Sequence, residues 1–312
     1  MEHRKKLLLT GVYGFIGANF AIYWNNHYPD DRIIGIDKMT YAANPANLDS
    51  IARHANMTCY RGDIADAAFV QSVFEKERPQ WVVNFAAESH VDRSINNPEL
   101  FIHSNVLGVS VLMDACLRFG VNRFHQVSTD EVYGDLPLES TSAFTEESAL
   151  HPSSPYAASK ASADLLVLSY ARTYGLPVTI SRCSNNYGRF QHREKLIPKV
   201  IDCAYRDISI PVYGRGDNRR DWIHVDDHCT AIDYILHKGK ENHIYNVSAH
   251  EEINNLELIR KILAILGKSD DLITFVNDRP GHDRRYAMDT SRLEKLGWKA
   301  KKNLDDYLNT LK

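Results

Sequence analysis

Tyr156 and Lys160 stand four residues apart in SPYAASKASAD (154–164). The stretch predicts a helix, which puts both on one face. An ammonium beside a phenol favours the phenolate and lowers the tyrosine pKa, so the pair has the composition of a general base working near neutral pH. The spacing alone is common by chance, and an exposed helix pair is its plainer reading. Just upstream, Ser128-Thr129-Asp130-Glu131 closes a β-rich run. A Thr129 hydroxyl there can hold a substrate oxygen beside Tyr156. Two adjacent carboxyls at a strand end are costly unless exposed or protonated, and in such pairs acid and base roles separate. Within a strand Asp130 and Glu131 would point to opposite faces. For both to act, the backbone must leave strand geometry at this point; a solvated acidic turn is the competing reading.

A second constellation is Gly11, Gly14 and Gly17, a GxxGxxG directly after a strand and opening a helix. Glycines there permit a tight turn and close approach of a pyrophosphate to helix-terminal N–H groups. Asp37 ends the next strand, twenty residues beyond Gly17. An acid at that place can accept from adenosine ribose hydroxyls and repels a 2′-phosphate, which favours NAD over NADP. Lys38 works against that preference, and a turn cap is the alternative role for Asp37.

The elements that must position these groups alternate in type. Strands are predicted at Lys5–Thr10, Arg32–Asp37, Met57–Tyr60, Trp81–Ala87, Arg123–Thr129 and Val178–Cys183, with long helices over Pro98–Phe119 and Tyr156–Tyr174. WVVNFAA (81–87) is nearly continuous in apolar residues, as in a strand buried on both faces of a parallel sheet. This order predicts an α/β fold with a doubly wound parallel sheet of Rossmann type. Beyond Asn185 the regularity weakens. Short strands (Ile210–Tyr213, His243–Val247) mix with helices (Asp226–His237, Asn255–Leu266) in a smaller C-terminal substrate-binding lobe. The division is 1–184 for the dinucleotide and 185–312 mainly for substrate. The polar stretch Gly134–Pro155 reads as a long loop with a functional role.

The 312 residues are 44% hydrophobic and 25% charged with net charge -3, which is ordinary for a soluble globular protein and argues against nucleic acid as main partner. Five scattered cysteines (Cys59, Cys116, Cys183, Cys203, Cys229) form no CxxC pair, so no metal site is expected and reduced thiols in a cytoplasm are. No apolar run approaches the roughly 20 residues of a membrane span, and Leu7-Leu8-Leu9 is too short for a signal-peptide core.

The chain resembles the extended short-chain dehydrogenase/reductase family, and within it the dTDP-glucose 4,6-dehydratases. The resemblance runs through GVYGFIG (11–17), DKMTYAAN (37–44), FAAESHVDRSI (85–95), STDEVYG (128–134), SPYAASKASAD, RCSNNYG (182–188), EKLIP (194–198), RRDWIHVDDH (219–228) and DRPGHDRRYA (278–287). It implies tightly held NAD and a nucleotide-sugar substrate. It implies that Tyr156 takes the C4 hydroxyl proton as hydride leaves C4, that Thr129 bonds near that oxygen, and that Lys160 holds the nicotinamide ribose. Glu131 then removes the C5 proton, Asp130 protonates the departing C6 hydroxyl, and the hydride returns to C6. The cofactor contacts it implies are Gly11, Gly14, Phe15, Ile16, Gly17, Asp37, Lys38, Thr40, Asp63, Ile64, Ala86, Ala87, Ser104 and Asn186, with Tyr156 and Lys160. Substrate contacts carried over are Ser89, Thr129, Asn185, Lys195, Leu196, Tyr213, Arg220, Asp278, Arg279 and His282. A homodimer through the two long helices is also implied.

Several places depart from the family pattern: Val12-Tyr13 in the glycine turn, Asn44-Pro45, the RFQHRE stretch that places Arg189 and Arg193 near the nucleotide, and Glu251 where an Asn is usual. The chain also ends short of the family's usual C-terminal segment. The rival readings are a 4,6-dehydratase of a UDP-, GDP- or CDP-sugar, a 4-epimerase or decarboxylase that would not need Asp130-Glu131, and a non-catalytic NAD-binding protein.

Overall fold

The computed structural model describes residues 4–51 and 56–311. The first half runs β1 (Lys6–Thr10), α1 (Phe15–His27), β2 (Arg32–Asp37), β3 (Met57–Arg61), α2 (Ala67–Glu77), β4 (Trp81–Asn84), α3 (Val91–Asn96), α4 (Pro98–Phe101), α5 (Gly108–Phe119), β5 (Arg123–Thr129), α6 (Pro155–Tyr174) and β6 (Val178–Cys183). The second runs β7 (Asn185–Tyr187), α7 (Leu196–Tyr205), β8 (Ile210–Tyr213), β9 (Arg219–His224), α8 (Val225–Lys238), β10 (His243–Val247), β11 (Glu252–Asn254), α9 (Asn255–Ile265), β12 (Ile273–Val276), α10 (Ser291–Glu294) and α11 (Leu304–Asn309).

Seven parallel strands form the central sheet in the order β10-β6-β5-β4-β1-β2-β3. The period-2 alternation of β1 explains the two layers around it. Leu8 faces one cluster with Val70 and Phe74 of α2, Leu112 of α5 and Val167 of α6. Leu7 and Leu9 face another with Phe20 and Trp24 of α1 and Ile232 of α8. The strand order reverses between β1 and β4, so a crevice opens at their C-terminal ends, where open α/β sheets bind ligands. A third cluster holds the lobe built from β7–β9–β11, the β8–β12 pair, α7, α9 and α11. β10 leaves that half and returns to the large sheet beside β6.

Three local departures from the sequence pattern bear on the site. β4 ends at Asn84, short of the expected Ala87. There the Asn84 side chain accepts from Thr10 Oγ1 (2.5 Å) and donates to Gln126 (2.8 Å), and Thr10 accepts from the Ala86 N–H (3.1 Å). Side chains therefore take over from the ladder, and 85–87 bend across Gly11. The expected single helix Pro98–Phe119 is interrupted by a π-helical stretch, Ile102–Leu107. The 22 residues Pro98–Phe119 are long and apolar enough to cross a membrane by length and composition alone, although the sequence shows no unbroken apolar run there. Polar Glu99, Asp114 and Arg118 break the run, while Val109, Leu112, Met113 and Cys116 are buried in the core. Residues 134–154 form no helix or strand apart from a bridge between Phe144 and Met288, and the expected loop ends one residue early because Pro155 opens α6.

Candidate active site

β5 stops at Thr129, and a 3-10 turn, Asp130–Tyr133, follows at once. The Thr129 hydroxyl accepts from the Glu131 N–H (3.3 Å) and donates to Asp130 Oδ1 (3.2 Å). This is the break in strand geometry that joint action of two adjacent carboxyls requires. Asp130 is buried, and its Oδ2 has no partner among the described residues. Burial pushes its pKa well up, and the Glu131 and Asp221 carboxylates push it further. Both effects favour the protonated form of Asp130, and one of its oxygens has no partner among the described residues. Burial also raises Glu131, against the opposing charges of Arg279 and Arg220.

α6 begins at a Ser154 cap, whose hydroxyl accepts from the Ala157 N–H (3.1 Å), with Pro155 in its first turn. That start places Tyr156 and Lys160 on the buried side of the helix. The expectation that Lys160 lowers the Tyr156 pKa is corrected for the protein alone. Burial, then Glu131, then Cys183 hold the phenol well above its ordinary value, and the Thr129 hydroxyl opposes them. Lys160 donates to the Val127 carbonyl (2.6 Å). Behind the pair, Arg182 bonds Asp164 of α6 (2.9 Å) and lies over the Tyr133 ring (4.7 Å). Tyr133 in turn donates to Asn246 (2.7 Å). The helix bearing Tyr156 and the turn bearing Asp130 are therefore fixed to one another through buried contacts.

The glycine turn fits a dinucleotide. A Cβ at Gly11 (φ +64) would meet Ala86 N at 2.8 Å, and one at Gly17 would meet Gly11 O at 2.3 Å. Gly14 caps α1 without a side chain, which leaves first-turn N–H groups at Phe15, Ile16 and Gly17 directed at the crevice. Val12 is buried beneath the turn in the core, so it adds no bulk over the phosphates. Asp37 accepts from the N–H groups of Tyr13 (2.9 Å) and Met39 (2.7 Å). It is a turn cap, and two carboxylate oxygens retain lone pairs for ribose hydroxyls. Lys38 is held by Asp63 (2.6 Å), so it is not a free cation awaiting a 2′-phosphate. Ile64 packs under Gly108, Ser104 lies in the π-helical stretch, and Thr40 is exposed on the loop after Asp37. Asn44 caps the turn at Pro45 by accepting from the Ala46 N–H (3.2 Å). The orientation of Asn186 is set by His228 (2.9 Å), which burial keeps neutral at a pKa of about 3.

The opposite wall comes from the second half of the chain. Arg220 is buried and donates to the carbonyls of Arg219 (2.7 Å) and Asp283 (2.8 Å), and its guanidinium lies over Tyr286 (4.6 Å). Its bonds go to these carbonyls and not to Asp221 or Asp226. Lys195 donates to the Ser89 carbonyl (2.9 Å). Tyr213 bonds Asp92, and His282 bonds Asp278 (2.6 Å). Burial and the charge of Arg279 lower His282, keeping it neutral. Arg279, Arg220 and Lys195 all act on Glu131, so cations and candidate base share one space. Leu196 opens α7, next to Lys195, and Asn185 opens β7.

Two of the departing positions lie elsewhere than expected. The Arg189 carbonyl accepts from Asn19 of α1 (2.8 Å) and its exposed side chain lies over Phe190, on the cofactor side. Glu251 accepts from the Leu304 N–H (2.8 Å) and holds α11. Sequence reasoning passed over Asp92, Asp221 and Asn105. Asn105 sits in the π-helical stretch and bonds both Glu88 and Ser159 (2.9–3.0 Å). Asn105 is one of several polar residues in this segment, so its sequence carries no distinct signal.

A family model described as GDP-mannose 4,6 dehydratase matches residues 8–311. The low-salt glycan biosynthesis protein Agl12 of Haloferax volcanii is 45% identical over 97% of this chain and 96% of its own. The dTDP-glucose 4,6-dehydratase of Haemophilus influenzae is 44% identical over 94% and 92%. The solved structure of the dTDP-glucose 4,6-dehydratase DesIV from Streptomyces venezuelae, with NAD bound, superimposes with a TM-score of 0.94 at 42% identity, covering 98% of this chain and 95% of that one. The seven-stranded parallel sheet, the glycine turn and the Tyr156–Lys160 helix fit these matches, and the chain belongs to the dTDP-glucose 4,6-dehydratase group of the extended short-chain dehydrogenase/reductase family.

Proposed function

We propose that this protein is an NAD-dependent lyase that converts dTDP-glucose to dTDP-4-keto-6-deoxy-glucose. The observation that carries this reading is the 3-10 turn that buries Asp130 beside Glu131, facing Tyr156. NAD, when bound, supplies the hydride acceptor for C4, the hydride returned to C6 and a positive charge that favours the Tyr156 phenolate. Tyr156 takes the C4 hydroxyl proton, with Thr129 bonded near the same oxygen and Lys160 orienting the ribose. The C4 ketone acidifies C5, so a carboxylate at Glu131 suffices to remove that proton. Asp130 gives its proton to the C6 hydroxyl, which leaves as water. Glu131 returns its proton to C5 as C6 receives hydride; Tyr156 then gives up the C4 hydroxyl proton and Asp130 regains one, so each turnover releases only water. An epimerase needs no such acid–base pair.

Arg220, Arg279 and Lys195 suit a diphosphate through charge and fork geometry, with Tyr213 and His282 at the nucleotide end. Residues 1–184 then carry mostly cofactor and 185–312 mostly substrate. Exposed Ile102, Leu107 and Leu165 on the π-helical stretch and α6, elements that pack side by side, support a homodimer through these helices. Five free thiols suit the cytoplasm. A second reading, the same chemistry on another nucleotide sugar, draws on the description of the matched family model.

The test is incubation of purified protein, without added NAD, with dTDP-glucose, UDP-glucose and GDP-mannose in parallel. Loss of one water from dTDP-glucose with a new C6 methyl signal is expected. Turnover of a different nucleotide sugar keeps the mechanism and replaces the substrate. No water loss from any of them, even with NAD added, refutes the dehydratase reading.

A further inference from the structure

We propose that Asp92 is a positioning residue for the nucleotide-diphosphate end of the substrate, holding Arg279 and Tyr213 in place from the cofactor half of the chain. The proposal rests on the dehydratase reading above. Asp92 lies in the first turn of α3, in HVDRSI, and reaches across to the second lobe. Its Oδ2 accepts from the Tyr213 hydroxyl (3.0 Å), at the end of β8. Its Oδ1 lies 3.5 Å from Nη1 of Arg279, in the loop after β12. One carboxylate thus engages two residues that are far from it in sequence and face the same cleft.

The contact with Arg279 is partial, and that is the informative feature. A guanidinium committed to a carboxylate makes two short parallel bonds. Here there is one long contact, and Arg279 Nε is buried with no partner among the described residues. A buried donor without a partner is costly, and it points to an anion that completes the set. Asp92 therefore orients the guanidinium without consuming it. The base of Asp92 is itself fixed. Arg93 lies over the Tyr41 ring at 3.5 Å, in the loop after Asp37, and Ser94 is buried with its hydroxyl donating to Val91 O (2.6 Å). Three residues upstream, the Ser89 carbonyl holds Lys195 (2.9 Å). One short segment after β4 thus places three groups of the substrate wall, none of which is Tyr156 or Thr129. Its effect belongs to binding, not to the chemical steps.

The test compares wild type with Asp92→Ala, Asp92→Asn and Tyr213→Phe by steady-state kinetics on dTDP-glucose and by calorimetric titration with dTDP. Asp92→Ala is expected to raise KM and the dTDP Kd together by about tenfold, with kcat changed less than twofold. Asp92→Asn, whose amide oxygen keeps one of the two bonds, should fall between it and wild type. Tyr213→Phe removes one arm only and should also raise KM. Unchanged KM and Kd in Asp92→Ala, a loss confined to kcat, or no dTDP binding by wild type would each overturn the proposal. Failure of the wild type to turn over dTDP-glucose while dTDP still binds refutes dTDP-glucose as the substrate and not the role of Asp92, which the Asp92→Ala titration then decides.

Discussion

At the scale of residues, the opposite tasks proposed for the neighbours Asp130 and Glu131 have a physical basis in their different surroundings. Burial and neighbouring carboxylates together raise the pKa of Asp130 with only weak opposition. Burial raises Glu131 as well, but there Arg279 and Arg220 oppose it and favour the charged form. Glu131→Gln is expected to abolish water loss while leaving C4 oxidation measurable, seen as the near-ultraviolet absorbance of reduced nicotinamide on mixing with substrate. Asp221 is a second lever. It is buried, bonded to the Glu251 N–H (2.7 Å), and raises the pKa of Asp130. In Asp221→Asn that like charge is gone, so Asp130 loses its proton at lower pH. The alkaline limb of the kcat profile should therefore move to lower pH. The chemistry-bearing types, Thr129, Asp130, Glu131, Tyr156 and Lys160, were legible because their spacing is local. Asp221 and Asp92 were not, because their partners come from distant parts of the chain.

At the scale of elements, the parallel strands were legible because each is a short apolar run that must be buried on both faces. β5 and β6 match their expected bounds. β4 is shorter than its apolar run because Phe85, Ala86 and Ala87 are apolar for a different reason: they cross the glycine turn. The three-residue strands β7 and β11 and the small helices α3, α10 and α11 are too brief for any periodicity to mark. α11 is fixed by one such invisible contact, Glu251 to the Leu304 N–H. Burial first, and Asp221 with it, raise the Glu251 pKa to about 7. The folded protein then binds this proton more tightly than the unfolded chain. The penalty is absent below the ordinary glutamate value, grows as pH rises toward 7 and is complete above it. Glu251→Gln keeps an acceptor for Leu304 and removes the penalty. It is expected to raise stability at about pH 8 by on the order of 2 kcal/mol, a Tm rise of a few degrees, with no gain at about pH 4. Calorimetry at the two pH values checks this, and an equal effect at both would contradict it.

At the scale of the whole molecule, the two clefts share a wall. The segment after β4 bends over the glycine turn, then supplies Ser89 and Asp92 to the substrate side and Arg93 to the loop after Asp37. Cofactor and substrate sites are joined there, which suits an enzyme that regenerates its cofactor within each turnover. The π-helical stretch and α6 carry exposed apolar side chains, and Leu165 of α6 is 58% exposed. Placing a charge there desolvates it in any apolar interface. Leu165→Arg should halve the mass seen by light scattering and leave the far-UV spectrum unchanged; an unchanged mass would place the interface elsewhere. The closed hydride cycle is the central claim. The measurement that tests it most directly uses dTDP-glucose carrying deuterium at C4, purified protein and no added NAD. Deuterium in the C6 methyl group of the dehydrated product is the expected result. A dehydrated product without deuterium in that methyl group, or deuterium still at C4, would contradict the account.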